Sequence, residues 1–265
     1  MNADLGNFIS TIYDQRFSSE KSHTRETALW LASLSNYDSN CYTLEPSVLA
    51  NARHFLMAVL QVFSGKSEHA PLFRGPETDL PCEPRTTTHH LASLTLIKLK
   101  ADIYKAKFST YEAQVQLEAE FAVSLVTLLQ NCAPQCSIFV VTPHRFQRET
   151  VKRRMQAIAL NVLPGSVMVE TVERLQGSEA DFVICLFSSL HPSPSDLNFL
   201  LERRRLNVAI SRTKMLCIIL SSEQVLNPTA HILANEEVIK GYDFLKAYER
   251  RSWTWEFLAD SKLLQ

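Results

Sequence analysis

Three short strings in the second half of the chain carry the residue types that bind phosphates and nucleotides. They are residues 142–148 (TPHRFQR), residues 171–181 (TVERLQGSEAD) and residues 203–212 (RRRLNVAISR). Hydroxyl groups, helix N-termini and cationic side chains are common phosphate contacts, and arginine can hold a phosphate with two parallel hydrogen bonds. Phosphate-containing ligands are therefore the first candidates for this chain.

The first string is suited to the backbone of a nucleic acid. It predicts a hydroxyl group, that of Thr142, at the end of a strand, followed by Pro143 and a helix that opens with Arg145 and Arg148. Such a helix start offers backbone N–H groups and cations to the same phosphates. The alternative is a basic helix face exposed only to solvent, in a chain whose formal net charge is −1.

The second and third strings are suited to a nucleotide. Gly177 permits a turn and the close approach of a ligand, Glu179 can accept hydrogen bonds from a ribose, and Thr171 can donate one to a phosphate. Arg212 stands directly before an apolar run, and a transition-state arginine contributes about a thousandfold or more to phosphoryl transfer. The alternatives are an ordinary turn and a surface arginine cluster paired with acids such as Glu202.

Alternating apolar strands and helices must position these strings. The pattern predicts helices over 112–130, 144–158 and 198–212, and strands over 137–141, 166–172, 181–187 and 214–220. Buried strands interspersed with helices indicate an α/β fold, with a parallel sheet covered by helices on both faces. Functional residues of such sheets belong at the carboxyl ends of the strands, so we expect the three strings to meet there.

The rest of the chain divides into two flanking segments around a predicted core at 111–225. Residues 1–110 are predicted to hold helices at 5–13 and 47–63 and a strand at 91–99. Within them, the proline-rich and charged stretch 64–90 is predicted to be a loop or partly disordered insertion. Residues 226–265 are predicted to form a helical extension, helical over 230–258, in which the two tryptophans serve packing.

Composition excludes several classes of protein. The chain has six glycines among 265 residues, and Ser64-Gly65-Lys66-Ser67 lacks the first glycine of a phosphate loop because Leu60 stands in its place. No two glycines lie close enough for a glycine-rich loop, so a self-sufficient phosphate-loop enzyme and a dinucleotide-binding fingerprint are excluded. The chain opens with no secretory signal and has no apolar run of membrane-spanning length, so we expect an intracellular protein without a membrane partner, nuclear or cytoplasmic.

The cysteines are scattered and predict no disulfide framework. A zinc site could begin at Cys132 and Cys136, and Cys82 with His89 and His90 could add ligands. Neither group has the paired spacing of a zinc module. We therefore expect no metal site in the chain itself.

Taken in order, the strings resemble the second RecA-like domain of superfamily 1 helicases of the Up-frameshift and senataxin type. That family carries T-P-[YH]-x-x-Q, then T-V-[DE]-x-x-Q-G-x-E-x-D, then R-R-x-N-V-A-[ILF]-[ST]-R. The resemblance covers residues 112–222 well and implies a RecA-like parallel sheet. The chain start also resembles the tail of the family's Q-Y-R-M-H-P-x-L string at Met1, which implies truncation at the N-terminus and a missing first domain.

The resemblance implies a role for each motif residue. Arg212 matches the arginine that contacts the γ-phosphate of ATP between two RecA-like domains. The residues that match the nucleotide side are Gln176, Gly177, Glu179, Arg204 and Arg205. Those that match the single-strand side are Thr142, Pro143, Arg145, Arg148 and Thr171.

The function implied is the C-terminal half of an ATP-dependent nucleic-acid helicase. Its partners would be single-stranded RNA or DNA and a first RecA-like domain, and it would use ATP and Mg²⁺ only together with that domain. Because Walker A and B motifs are absent, this chain alone is predicted to be inactive as an ATPase. Two alternatives stay open: a non-catalytic nucleic-acid-binding adaptor or regulator, and an interaction domain in which the strings are relics.

Overall fold

The computed structural model describes residues 2–10, 24–36, 44–63, 91–101, 110–158, 165–175, 177–190, 192–230, 232–234 and 236–259. Within them, six strands form one sheet in which every described pairing is parallel. The strands are β1 (Leu91–Ala101), β2 (Ile138–Thr142), β3 (Val167–Thr171), β4 (Ala180–Leu186), β5 (Thr213–Ser222) and β6 (Ser252–Ala259). Their order across the sheet is β3-β2-β4-β5-β1-β6.

Helices cover both faces of this sheet, as the sequence predicted. They are α1 (Ala3–Ser10), α2 (Thr24–Ala32), α3 (Pro46–Phe63), α4 (Tyr111–Cys132), α5 (Arg145–Ala157), α6 (Pro194–Leu200), α7 (Arg203–Ser211), α8 (Glu223–Leu226) and α9 (Glu236–Arg251). The apolar residues of α2 to α5 share one core cluster, and those of α1 and α6 to α9 share the other. Successive residues of β4 alternate between them: Phe182 and Ile184 face the first, Val183 and Cys185 the second. The predicted α/β class is confirmed.

The long helix α4 lies at the centre of the first core. The side chain of Thr110 caps its start by accepting a hydrogen bond from the backbone N–H of Ala113 at 3.1 Å. The predicted apolar face, from Val115 to Leu129, is buried. Burial also extends well beyond that face, because α2 and α3 pack against the helix as well as against the sheet.

The predicted helix over 198–212 is instead two helices, α6 and α7, separated at Leu201 and Glu202. The start of α6 is fixed independently, because Ser193 caps it and Pro194 occupies its first position. The backbone of α9 abuts the junction, where a Cβ atom at Gly241 would overlap the carbonyl oxygen of Leu201. Two short helices, whose junction packs closely against α9, therefore stand in place of the one longer helix that was predicted.

The helix predicted over 230–258 is wrong from residue 252 onward, where the chain forms β6. Trp253, Trp255 and Phe257 are buried and the residues between them are more exposed, which is the two-residue period of a strand. The two tryptophans pack against Phe55 of α3, so their predicted packing role is confirmed.

The first strand, β1, lies in the interior of the sheet. It pairs with β5 on one side and with β6 on the other. Strands from both flanking segments therefore belong to the same sheet as the strands of the predicted core. The predicted loop at 64–90 lies outside the described residues.

Candidate functional sites at the two edges of the sheet

The carboxyl edge of the sheet holds the two candidate threonines side by side. Thr142 ends β2 and Thr171 ends β3, and the two are register partners. The side chain of Thr142 is fully buried, its hydroxyl donating to the carbonyl oxygen of Glu170 at 3.5 Å, and Pro143 is buried too. Thr171 is 8% exposed, against 0% for Thr142. These buried side chains shape the carboxyl edge of the sheet. Any charge that binds a ligand there must come from more exposed side chains nearby.

Charge at this edge comes from α5, which begins directly after β2. Arg145 is exposed and has no ion-pair partner among the described residues. Arg148 is compensated: its Nη1 lies 3.0 Å from Glu170 Oε2 and its Nη2 lies 2.7 Å from Glu149 Oε1. Burial raises the pKa of Glu170, but Lys152 and Arg148 more than offset this and hold it below its ordinary value. Of the two predicted arginines, Arg145 is the one left available to a ligand.

Arg205 also lies at the carboxyl edge. Its Nε donates to Glu173 Oε1 at 3.0 Å, and its guanidinium carbon lies 3.7 Å from the ring centroid of Phe199. The ring of His144 stacks on the same Phe199, with centroids 4.9 Å apart. Partial burial lowers the pKa of His144. Arg205 lowers it further, while Asp196 partly offsets the decrease. A cation and two rings therefore join the first string to the start of the third.

The amino edge of the sheet holds the other candidates. The backbone N–H of Ala180 donates to the carbonyl oxygen of Arg212 at 2.9 Å, which brings the residues entering β4 and β5 together. Glu179, next to Ala180, is exposed. Arg212 is half-buried, and its Nε donates to the carbonyl oxygen of Val208 at 3.3 Å. Gly177 has a φ of +83°, a left-handed conformation that favours glycine.

Our expectation that all three strings meet at the carboxyl edge is wrong for Glu179 and Arg212, while Gly177 lies in the segment between the two edges. A residue that directly precedes a parallel strand lies at the amino edge by construction. Val141 pairs with Cys185, so Thr142 lies level with Leu186. Ala180 lies six residues before Leu186, which is about 20 Å along the strand. The candidates form two sites.

The nucleotide candidates are divided between these edges as well. Arg205 lies in α7, seven residues before Arg212, which follows the last residue of that helix; this is about 10 Å along the helix axis. Arg204, beside it, is exposed at the start of α7. The structure thus brings Glu179 and Arg212 to one edge and leaves the two arginines with the single-strand candidates. Gln176 lies outside the described residues.

Residues 172–179 link the two edges, and their described parts, 172–175 and 177–179, contain no long helix. They leave the carboxyl end of β3 and enter the amino end of β4, and they pass β2 because that strand lies between the two. Val172 and Leu175 are buried in the second core cluster, which anchors the crossing segment on that face. One short stretch of the second string therefore contacts both sites.

Glu118 of α4 is a buried charged residue that sequence reasoning missed. Its carboxylate accepts hydrogen bonds from Gln114 Nε2 at 2.7 Å, from Gln147 Nε2 at 2.5 Å and from the hydroxyl of Ser188. Complete burial raises the pKa of Glu118 to about 7, against the lowering effect of these donors. A carboxylate within an otherwise apolar helix face was the signal available in the sequence.

The hydrogen bonds of Glu118 reach the loops of the carboxyl edge. Gln147 Oε1 accepts from the backbone N–H of His144 at 3.3 Å, which closes the start of α5. Gln114 Oε1 accepts from the backbone N–H of Leu190 at 2.9 Å, beyond the end of β4. The glutamate therefore fixes two loops next to the single-strand candidates.

The part of the chain that the structure describes contains no group of three or more His, Cys, Asp or Glu side chains placed to hold a metal ion. Cys132 and Cys136 are free thiols, and Cys82, His89 and His90 lie outside the described residues. None of the described helices is both long enough and apolar enough to cross a bilayer.

Fold and sites together define an α/β domain of the RecA-like type, with candidate ligand sites at opposite edges of its sheet. Residues 1–224 match the sequence family AAA_12, described as an AAA domain. The chain therefore belongs to this family, the C-terminal RecA-like domain of superfamily 1 helicases such as Upf1 and Sen1. The resemblance drawn from the three strings is confirmed.

Curated relatives agree with this family. The chain is 30% identical to "Helicase sen1" of Schizosaccharomyces pombe over 123 residues, which is 44% of this chain and 7% of that protein. It is 36% identical over 115 residues to "ATP-dependent helicase upf1" of the same organism, covering 41% of this chain and 12% of that protein. It is also 36% identical over 115 residues to "Regulator of nonsense transcripts 1" of Dictyostelium discoideum, covering 42% of this chain and 8% of that protein. The chain thus matches only a small part of each relative's length.

Proposed function

We propose that this chain is the second RecA-like half of an ATP-dependent nucleic-acid helicase. In this proposal the carboxyl edge binds single-stranded RNA or DNA, and the amino edge presents Arg212 to a nucleotide held by a first RecA-like domain. Two of the relatives are named as helicases, and the chain belongs to a C-terminal helicase domain family. The division into two edges separates the two tasks on one sheet.

The observation that carries the single-strand proposal is the charge of α5. This helix has five cationic residues and one carboxylate in 13 positions, and it begins at the carboxyl edge. Arg145 at its first position is exposed and has no ion-pair partner within the described ranges. A backbone of phosphates fits such a helix start, because N–H groups, the helix dipole and an available cation all favour negative charge.

At the amino edge, Arg212 and Glu179 suit a nucleotide in different ways. The Nε of Arg212 is used within its own helix, and the Nη groups of a guanidinium can still donate to a phosphate. Glu179 is exposed and offers acceptors to ribose hydroxyls. ATP with Mg²⁺ would supply the phosphoryl chemistry, and the chain contains no phosphate loop to hold it. We therefore propose that a first RecA-like domain binds the nucleotide and that Arg212 completes the site.

Charge reversal at Arg145 tests the single-strand proposal. Arg145→Glu is expected to weaken binding of dye-labelled 12-nucleotide oligo(U) and oligo(dT), and to flatten the dependence of log K on log salt by about one to two units, since about one counterion is released per phosphate contact. Fluorescence anisotropy between about 25 and about 200 mM salt measures the affinity and its salt dependence. Phosphate contacts weaken by roughly a power of ten or more across such a range of salt.

Arg250→Glu is the matched control, because it makes the same charge change on an exposed residue of α9. It is expected to leave both the affinity and the salt dependence close to those of the unmodified chain. Absence of binding at low salt would overturn the proposal. Equal effects of the two reversals would do so too, because they would reduce binding to general charge attraction.

A further inference from the structure

Two exposed aromatic rings lie together at the carboxyl edge. Tyr111, the first residue of α4, is 47% exposed, and Phe146, the second residue of α5, is 42% exposed. Their ring centroids are 5.8 Å apart and the planes are inclined by 31°. Phe146 directly follows Arg145 in the first turn of α5, so the rings and the cation that the proposed function uses lie at the same helix start.

The exposure of this pair calls for an explanation. Six large apolar side chains are exposed among the described residues, and two of them, Tyr111 and Phe146, are aromatic. Those two are also in contact with each other. Scattered exposed apolar residues are ordinary, but adjacent rings at the mouth of a candidate site mark a surface for a ligand.

The surrounding charges specify the chemistry of that ligand. On the α5 side, Phe146 shares the first turn with Arg145, and the cations further along the helix are mostly paired with carboxylates. On the α4 side, burial raises the pKa of the Tyr111 hydroxyl, and the carboxylates Glu118, Asp196 and Glu112 add to the effect. An anionic backbone is thus drawn towards α5 and repelled from the other side, while flat apolar groups fit the rings. A single-stranded nucleic acid has both parts.

We propose that Tyr111 and Phe146 form a base-stacking platform for one base of a single strand, with the adjoining phosphate directed towards Arg145. This rests on the proposed nucleic-acid function and adds to it Tyr111, which lies outside the three strings, and Phe146, a residue of the first string to which no role was assigned. A base between the rings would require about 7 Å, two carbon–carbon contact distances of about 3.5 Å. The spacing of 5.8 Å is smaller, so the base packs on the outer surface of the pair.

Abasic oligonucleotides separate stacking from phosphate contact. The unmodified chain is measured against 12-nucleotide oligo(U) and oligo(dT), and against the same strands carrying stable abasic residues throughout. Base stacking is worth about fivefold to about a hundredfold in affinity per base, so the intact strands are expected to bind more tightly by at least the lower figure. In the double variant Tyr111→Ala/Phe146→Ala that preference is expected to be largely lost.

Three further variants keep the test specific. Phe146→Leu retains an apolar side chain and removes the ring, and it is expected to lose most of the affinity lost in Phe146→Ala. Leu258→Ala removes an exposed apolar side chain from β6, at the opposite side of the sheet, and is expected to bind as the unmodified chain does. The aromatic variants are expected to keep the unmodified salt dependence, whereas Arg145→Glu changes it.

The outcomes distinguish the platform from the function on which it rests. Equal affinity of the unmodified chain for intact and abasic strands would overturn the platform and leave phosphate binding in place. Unchanged binding by the double variant would overturn it as well. Binding to neither kind of strand would overturn the proposed function and the platform together.

Discussion

A carboxylate without access to water depends on nearby hydrogen-bond donors, and Glu118 has three of them. Two of the donors belong to glutamines whose other amide atom accepts a backbone N–H from a loop of the carboxyl edge. The third is the hydroxyl of Ser188, just beyond β4. At the scale of the single residue, the geometry of the proposed single-strand site therefore depends on a group that no ligand touches.

The pKa of Glu118 makes this dependence measurable. It is raised from 4.5 to about 7, first by burial, so the protonated form is favoured in the folded state. The stability that this group contributes is therefore fully present below pH 4.5 and is lost as the pH rises through about 7. Raising the pKa of this carboxyl by about 2.5 corresponds to a change of about 3 kcal/mol in the free energy of unfolding.

Glu118→Gln is expected to remove this pH dependence. Urea unfolding at pH 5, 6, 7 and 8 gives the free energy of unfolding for the variant and the unmodified chain. The unmodified chain is expected to lose up to about 3 kcal/mol relative to the variant across that range. Glu112→Gln, an exposed change on the same helix, is expected to run parallel to the unmodified chain. Parallel curves for Glu118→Gln would contradict the burial argument.

At the scale of elements, the close approach between α9 and the α6–α7 junction sets the shape of the second face. The backbone of Gly241 meets the carbonyl oxygen of Leu201 and the backbone nitrogen of Arg203. Only a residue without a Cβ atom fits there while α9 remains a helix. This contact helps to place the start of α7, and with it Arg204 and Arg205.

Gly241→Ala is expected to lower the free energy of unfolding by about 3 kcal/mol or more, because backbone atoms must move apart. Alanine favours a helix interior over glycine by about 1 kcal/mol, so helix propensity alone predicts the opposite sign. Gly165→Ala is the comparison: Gly165 has a φ of +82° and open space around it, and the expected cost is about 1–2 kcal/mol. Urea unfolding measures both. A Gly241→Ala chain as stable as the unmodified one would contradict the packing described.

Helices and strands were predictable from the sequence where a local pattern of apolar residues determines them. The apolar runs of β2 and β5 and the face of α4 lie within one or two residues of their predicted positions. The strand β6 was missed because its aromatic residues follow a strong helix. The break before α7 was missed because Gly241, whose backbone packs against it, lies some forty residues further along the chain. Local pattern does not contain contacts of that kind.

The candidate sites show the same limit. The residues of the third string are close in sequence, which suggested one site, but a helix carries Arg205 and Arg212 to different edges of the sheet. Glu118 was missed because its donors come from α4, α5 and the loop after β4. The strings identified the family, and the topology divided their residues between two surfaces.

At the scale of the whole molecule, the two edges are about 20 Å apart along the strands. Charges at that separation are largely screened, because the Debye length at physiological salt is about 8 Å. The crossing segment 172–179 is the short covalent link between them, and it is anchored by the buried side chains of Val172 and Leu175. Direct electrostatic influence of one edge on the other is therefore expected to be small in this chain.

Arg212→Ala tests this separation together with the role proposed for the arginine. The variant is expected to bind 12-nucleotide single strands within about twofold of the unmodified chain at physiological salt, since Arg212 lies beyond a Debye length from the carboxyl edge. Neither protein is expected to hydrolyse ATP, because a phosphate loop is missing from the sequence. Anisotropy titration and a phosphate-release assay measure the two properties on the same preparations, with Arg212→Lys retaining the charge as a control.

Strand binding weakened by Arg212→Ala as much as by Arg145→Glu would contradict the division into two sites. ATP hydrolysis by the unmodified chain that Arg212→Ala abolishes would show instead that this domain assembles a complete catalytic site by itself.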